Sequence, residues 1–157
     1  MSTTQGDALE RLLDEQRQID ELLQSHARHQ RDPAFRPVEA ARLSGLIVTL
    51  LRVHLELEAR LLAPALAQVI GDDPALARAA SQRMAVAEAI ERVEALSPRD
   101  PDYALEMSAL ARRVRLWFAA SREGLFERAR ESALDLTALD GELALRQEAS
   151  LSAGRER

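Results

Sequence analysis

The stretch Ile47-Val-Thr-Leu-Leu-Arg-Val-His54-Leu-Glu-Leu-Glu58-Ala-Arg-Leu-Leu-Ala-Pro64 decides how the chain is read. Its apolar residues recur at three- and four-residue spacing, and the series Ile47, Leu50, His54, Leu57, Glu58, Leu61, Ala65 falls on one face of a helix. A histidine and a glutamate four residues apart therefore interrupt an otherwise apolar stripe. In a packed helical protein, polar residues at such positions are where a cofactor site would be built. A neutral imidazole and a carboxylate at this spacing can ligate one cation together.

Working outward, the same period continues on both sides. A first helix is expected from about Asp7 to His29, with Leu9, Leu12, Leu13, Ile19, Leu22 and Leu23 as its stripe, stopping near Arg31-Asp-Pro33. The quoted stretch lies in a second helix from Pro37 to about Ile70, whose apolar side also takes Leu46 and Leu62. Gly71-Asp-Asp-Pro74 ends it. A third, alanine-rich helix runs to Leu96 on Val86, Ile90 and Val93, and Ser97-Pro-Arg-Asp-Pro101 breaks it. The fourth, from about Asp102 to Ser132, carries Leu105, Leu110, Val114, Trp117, Phe118, Leu125 and Phe126. A shorter fifth helix is expected from Leu136 to Ser150, followed by a frayed tail from Ser152 to Arg157.

Four amphipathic helices joined by short loops favour antiparallel neighbours, so the expected fold is all-α. It is an up-down-up-down four-helix bundle with a short C-terminal fifth helix, one domain over 1–157 ordered from about 7 to 151. Composition agrees: 157 residues with 46% hydrophobic and 3% aromatic content, six glycines and six prolines suit packed helices and a single core.

The charge of −5 argues against nucleic acid, which requires a basic face. No cysteine is present, and all 21 basic residues are arginine. Disulfides, thiolate metal sites, thiol catalysis and Schiff-base chemistry are thereby excluded. No Ser-His-acid order at a strand turn suggests a hydrolase either. The segment Met1 to Asp7 has no basic start and no apolar run, and no stretch approaches the ~20 apolar residues of a membrane span. A cytoplasmic protein without membrane contact is the expectation.

The same stripe argument places Gln16 inward on the first helix and Trp117 and Ser121 inward on the fourth. The third helix offers Arg83 or Ala87 according to register, neither a metal ligand. His26 and His29 fall at the end of the first helix, about 15 Å along the axis from Gln16 in the case of His26, and are expected to be exposed and to favour the helix dipole. Arg112, Arg113 and Arg115 are read as surface.

Taken together, His54-Leu-Glu-Leu-Glu58 and its Leu-Ala-Pro64 ending resemble the His-x-x-x-Glu motif of hemerythrin-like (HHE cation-binding) domains. Ser121-Arg-Glu-Gly-Leu-Phe126 is similar to the second copy of that motif, Asp14 to Leu23 to the family's opening helix, and Leu134 to Arg146 to its closing one. The resemblance implies a bundle in which histidines from four helices and carboxylates from two hold a di-iron centre. Carried over by position, His54 and Glu58 match. Gln16 stands where the first-helix histidine would be, Trp117 and Ser121 where the fourth-helix pair would be, and Arg83 or Ala87 where the third-helix histidine would be.

Two residues cannot offset the dehydration of two cations, and Trp117 fills much of the second metal's volume. The expected cofactor is none, or a single iron, manganese or zinc ion at His54 and Glu58 completed by Gln16, water or a small molecule. The alternative for that pair is a polar cluster, bonded to each other or to Gln16. Gln16, Trp117 and Ser121 either repack the core or line a pocket for a small organic ligand. The expected function is a non-catalytic binding or regulatory module that has lost the di-iron centre, with a homodimer through an apolar helix face as one form. The alternative is a metal-binding protein with an oxygen- or redox-linked role.

Overall fold

The computed structural model describes residues 6–155, which are helical throughout apart from short connections, with no strand among them. Helix α1 spans Ala8–Arg31. Asp7 opens it with a capping box, in which its carboxylate accepts from the Glu10 amide at 3.0 Å while Glu10 accepts from the Asp7 amide at 3.2 Å. Helix α2, Pro37–Leu57, begins with proline in its first turn, where the missing N–H costs nothing.

From Glu58 to Leu62 the backbone widens into a π turn before α3, Ala63–Ile70, so that 37–70 is one continuous rod. Pro64 supplies the reason, since it donates no hydrogen bond and crowds the carbonyl four residues earlier. Gly71, with φ of 73°, takes a positive-φ backbone conformation open to glycine and ends the rod.

Helix α4, Pro74–Glu94, is capped by Asp73, whose carboxylate accepts from the Ala75 amide at 2.8 Å. Helix α5, Tyr103–Ala120, passes through a second π turn at Ser121–Phe126 into α6, Glu127–Glu131. Gly124 in that turn faces α4, where a Cβ would stand 3.2 Å from the Ala75 Cβ, so its lack of a side chain permits the close approach. Helix α7 spans Leu136–Arg155. No helix among the described residues is long and apolar enough to cross a membrane.

Three expectations need correction. The last helix is 20 residues rather than a short cap, and it includes Ser152–Arg155 that were expected to fray. The reading of Glu156 and Arg157, like that of Met1 to Gln5, lies outside the described residues. Leu46 and Leu105 do not belong to the core: they are 40% and 68% exposed, while Leu43 and Leu51 on α2 and Tyr103 and Met107 on α5 are buried instead. Both misplaced leucines sit near the edge of their stripes, where a shift of one residue decides the face.

The buried apolar residues form two clusters. One gathers Ile19 and Leu23, Ala40 to Leu51, Val86 to Val93 and Tyr103 to Phe118. The other gathers Ala8 to Leu12, Val53 to Leu66, Ala79, Leu125 to Ala129 and two leucines of α7. The buried polar side chains other than His26, which lies against Tyr103, sit near where one cluster gives way to the other. Glu15 and Gln16 fall between Leu12 and Ile19 and Ser121 between Phe118 and Leu125; the part-buried Arg83 lies between Ala79 and Val86, and His54 and Glu58 follow the junction on the α2 rod, beside Val53 and Leu57.

Candidate functional site

Glu58, the first residue of the first π turn, is fully buried and accepts three hydrogen bonds. Arg83 Nη1 on α4 donates to Oε1 at 2.7 Å and the Trp117 indole N–H on α5 donates to the same oxygen at 3.0 Å. Ser121, the first residue of the second π turn, donates its hydroxyl to Oε2 at 2.8 Å. One carboxylate thus ties three helical rods together and joins the two π turns. Arg83 reaches it with only 12% of its side chain exposed.

His54, also fully buried, is held on both ring nitrogens. Its Nδ1 lies 3.0 Å from Glu15 Oε1 and its Nε2 lies 3.3 Å from Gln16 Nε2. These fit one tautomer, in which Nδ1–H donates to the carboxylate and the Nε2 lone pair accepts from the amide. The edges of Trp117 and Phe118 close over the ring at 5.1 and 5.5 Å between centroids.

The chain of bonds then runs outward. Gln147 on α7 donates to Glu15 Oε2 at 2.6 Å, Arg11 donates to Gln147 at 3.0 Å, and Arg11 Nε pairs with Asp140 at 2.6 Å. The hydrogen bond to Asp140 holds the Arg11 guanidinium above its ordinary pKa, against the opposing effect of burial. Gln16 Oε1 is buried with no hydrogen-bond partner among the described residues.

All five site residues expected from the sequence are buried: Gln16, His54, Glu58, Trp117 and Ser121. Glu58, Trp117 and Ser121 are brought together, and His54 with Gln16 forms an adjoining group. His54 and Glu58 make no hydrogen bond to each other; each is engaged by other elements. The register on α4 is that of Arg83, and Ala87 is exposed. Sequence reasoning missed Arg83 as the partner of Glu58, and it missed Glu15 and Gln147 altogether. A charged residue opposite a buried carboxylate was the available signal for Arg83. Nothing in the periodicity marks Gln147, which lies on a helix with few buried residues.

His26 corrects another expectation. It is 3% exposed rather than at a free helix end, because Tyr103 at the start of α5 covers it and places its hydroxyl 2.7 Å from Nε2. Burial lowers the His26 pKa, with a smaller contribution from His29. His29 Nε2 lies 3.2 Å from the Arg36 amide and 3.1 Å from its carbonyl, and bonds to one or the other according to its tautomer, pinning the α1–α2 connection. Arg112, Arg113 and Arg115 are exposed, as read from the sequence.

Among the described residues, no group of three or more His, Cys, Asp or Glu side chains is arranged to hold a metal ion. The donor chemistry says why the cluster fits a di-iron centre poorly. The two oxygens of Glu58 face a guanidinium, an indole N–H and a hydroxyl, and the first two can only donate. A cleft of about 380 Å³ opens on Arg11, Glu15, Asp140 and Gln147, and its lining includes none of Gln16, Trp117 and Ser121. Comparison of the chain with protein-family models, with curated proteins and with solved structures finds no match.

Proposed function

We propose that the chain is a hemerythrin-like up-down-up-down four-helix bundle, flanked by α7, that has given up the di-iron centre and works in the cytoplasm as a non-catalytic binding or regulatory module. One observation carries this reading: the only two side chains that match the family's ligands are already fully engaged by protein. Glu58 takes hydrogen bonds from Arg83, Trp117 and Ser121, and His54 is held between Glu15 and Gln16. A metal ion entering here would have to displace the Arg83 guanidinium and two further donors, Trp117 and Ser121, from a buried carboxylate.

A second reading keeps a single iron, manganese or zinc ion at His54 and Glu58, with an oxygen- or redox-linked role. It draws on Gln16, whose side-chain amide stands 3.3 Å from the imidazole and whose Oε1 is buried without a hydrogen-bond partner among the described residues.

Elemental analysis of untagged protein purified without chelators, together with a visible absorption spectrum, tests both. The proposal expects no transition metal above background and no charge-transfer band. About one ion per chain, lost in His54→Ala, would establish the second reading. Two irons per chain with a charge-transfer band would overturn both.

A further inference from the structure

The Glu58 pocket has the composition of a cation site: a carboxylate at zero exposure, drawn from one rod, with its positive partner supplied by another. Burying a charged carboxylate without a counter-charge is costly, so a cation beside it stabilises the fold. The shape of that cation is set by its neighbours. Trp117 Nε1 already donates to Oε1 at 3.0 Å and Ser121 to Oε2 at 2.8 Å, which leaves one face of the carboxylate for a donor of N–H bonds. An indole N–H has no lone pair to offer a metal ion, so two metal-ligating atoms cannot be recruited from Trp117 and Glu58 together. A weakly hydrated guanidinium, which can only donate, suits the remaining face, and Arg83 meets it with one N–H at 2.7 Å from Oε1.

Arg83 enters from the side, with 12% of its side chain exposed, so the volume it fills is connected to solvent. Removing it leaves an opening the length of an arginine side chain that ends on a buried carboxylate.

We propose that the Glu58 pocket is a cation-binding site whose cation is the Arg83 guanidinium, and that the chain without this side chain takes up a free guanidinium ion in its place, in preference to a divalent metal. The inference rests on the pocket's geometry and stands whether or not the chain is hemerythrin-like.

The test is chemical rescue, with thermal unfolding as the readout. Arg83→Ala is expected to lower Tm by roughly 10 °C, as loss of one partner of a buried pair does in a domain of this size. Guanidinium chloride at about 10 mM then raises the Tm of this variant by roughly 4 °C, the shift expected for a ligand binding at about millimolar Kd. The same concentration leaves the wild-type Tm unchanged or slightly lower. Sodium chloride, methylammonium chloride and the chlorides of zinc and manganese leave Arg83→Ala where it was. In Glu58→Gln/Arg83→Ala the pocket is neutral, so this double variant is expected to be more stable than Arg83→Ala and to show no rescue.

Should Arg83→Ala not accumulate as folded protein, the readout becomes recovery of helical circular dichroism on adding guanidinium, with the double variant folding unaided. Absence of rescue in Arg83→Ala, equal rescue by sodium chloride, rescue by a divalent metal instead, or rescue that persists in the double variant would each overturn the proposal. These outcomes are independent of the metal content of the wild-type protein.

Discussion

At His26, burial against the Tyr103 hydroxyl couples the state of one imidazole to the stability of the whole chain. Its pKa in the folded protein lies below the ordinary value of about 6.5, so the unfolded chain binds the proton more readily. The stabilisation is therefore complete above about pH 6.5 and is lost as pH falls through the folded-state value. Urea unfolding of wild type and His26→Gln between pH 5 and 7.5 is expected to show wild type losing stability relative to the variant toward pH 5; parallel curves would refute the coupling. The stripe argument placed His54, Glu58, Gln16, Trp117 and Ser121 inward because each replaces an apolar residue at helical spacing. It could not place Arg83, whose long side chain reaches from the edge of its face, nor Glu15, which shares the site with its neighbour Gln16. His26 was misjudged because distance along the sequence from a helix end was taken for exposure, while the cover comes from Tyr103, 77 residues away.

The two π turns explain why Glu58 and Ser121 meet. Each is the first residue of a widened turn, and an extra residue per turn rotates the later part of a rod relative to its earlier part. Pro64 fixes the position of the first turn. Gly124 lets the second lie against the first turn of α4, so Gly124→Val is expected to force Ala75 away and to cost roughly 1–3 kcal/mol in chemical denaturation, although valine removes a helix-interior glycine. No loss of stability would show that α4 adjusts without strain. Helix limits were legible from prolines, glycines and acidic caps: α1 begins at the Asp7 capping box and the α2 rod ends at Gly71. The π turns were not: the unbroken period reads on to Leu61 and Ala65, whereas the added residue buries Leu62 and Leu66 instead.

Across the whole molecule, α7 is attached differently from the other helices. It buries only Leu139 and Leu143, and it is tied down by Arg11 to Asp140, Gln147 to Glu15, Arg146 to Glu56 and Ser150 to Glu56. The Arg146 hydrogen bond lowers the Glu56 pKa despite some burial. Polar ties near solvent are weak beside apolar burial, so native-state hydrogen exchange is expected to show α7 amides opening well before those of α2 and α5. Equal protection throughout would show that α7 unfolds only with the rest. Its length escaped sequence reading because its apolar residues do not form a single stripe, and its partners on α1 and α2 lie about 90 to 136 positions away.

The polar residues at the junction of the two apolar clusters have a further consequence. Leucines at that level would tolerate one helix sliding past another by a turn, since any apolar contact substitutes for any other. Glu58 does not: a slip of 5.4 Å, one helical turn, would carry Arg83, Trp117 and Ser121 out of reach and leave a bare charge behind. The junction therefore acts as an alignment mark, which makes the shifted arrangements of this chain untenable and leaves one register standing.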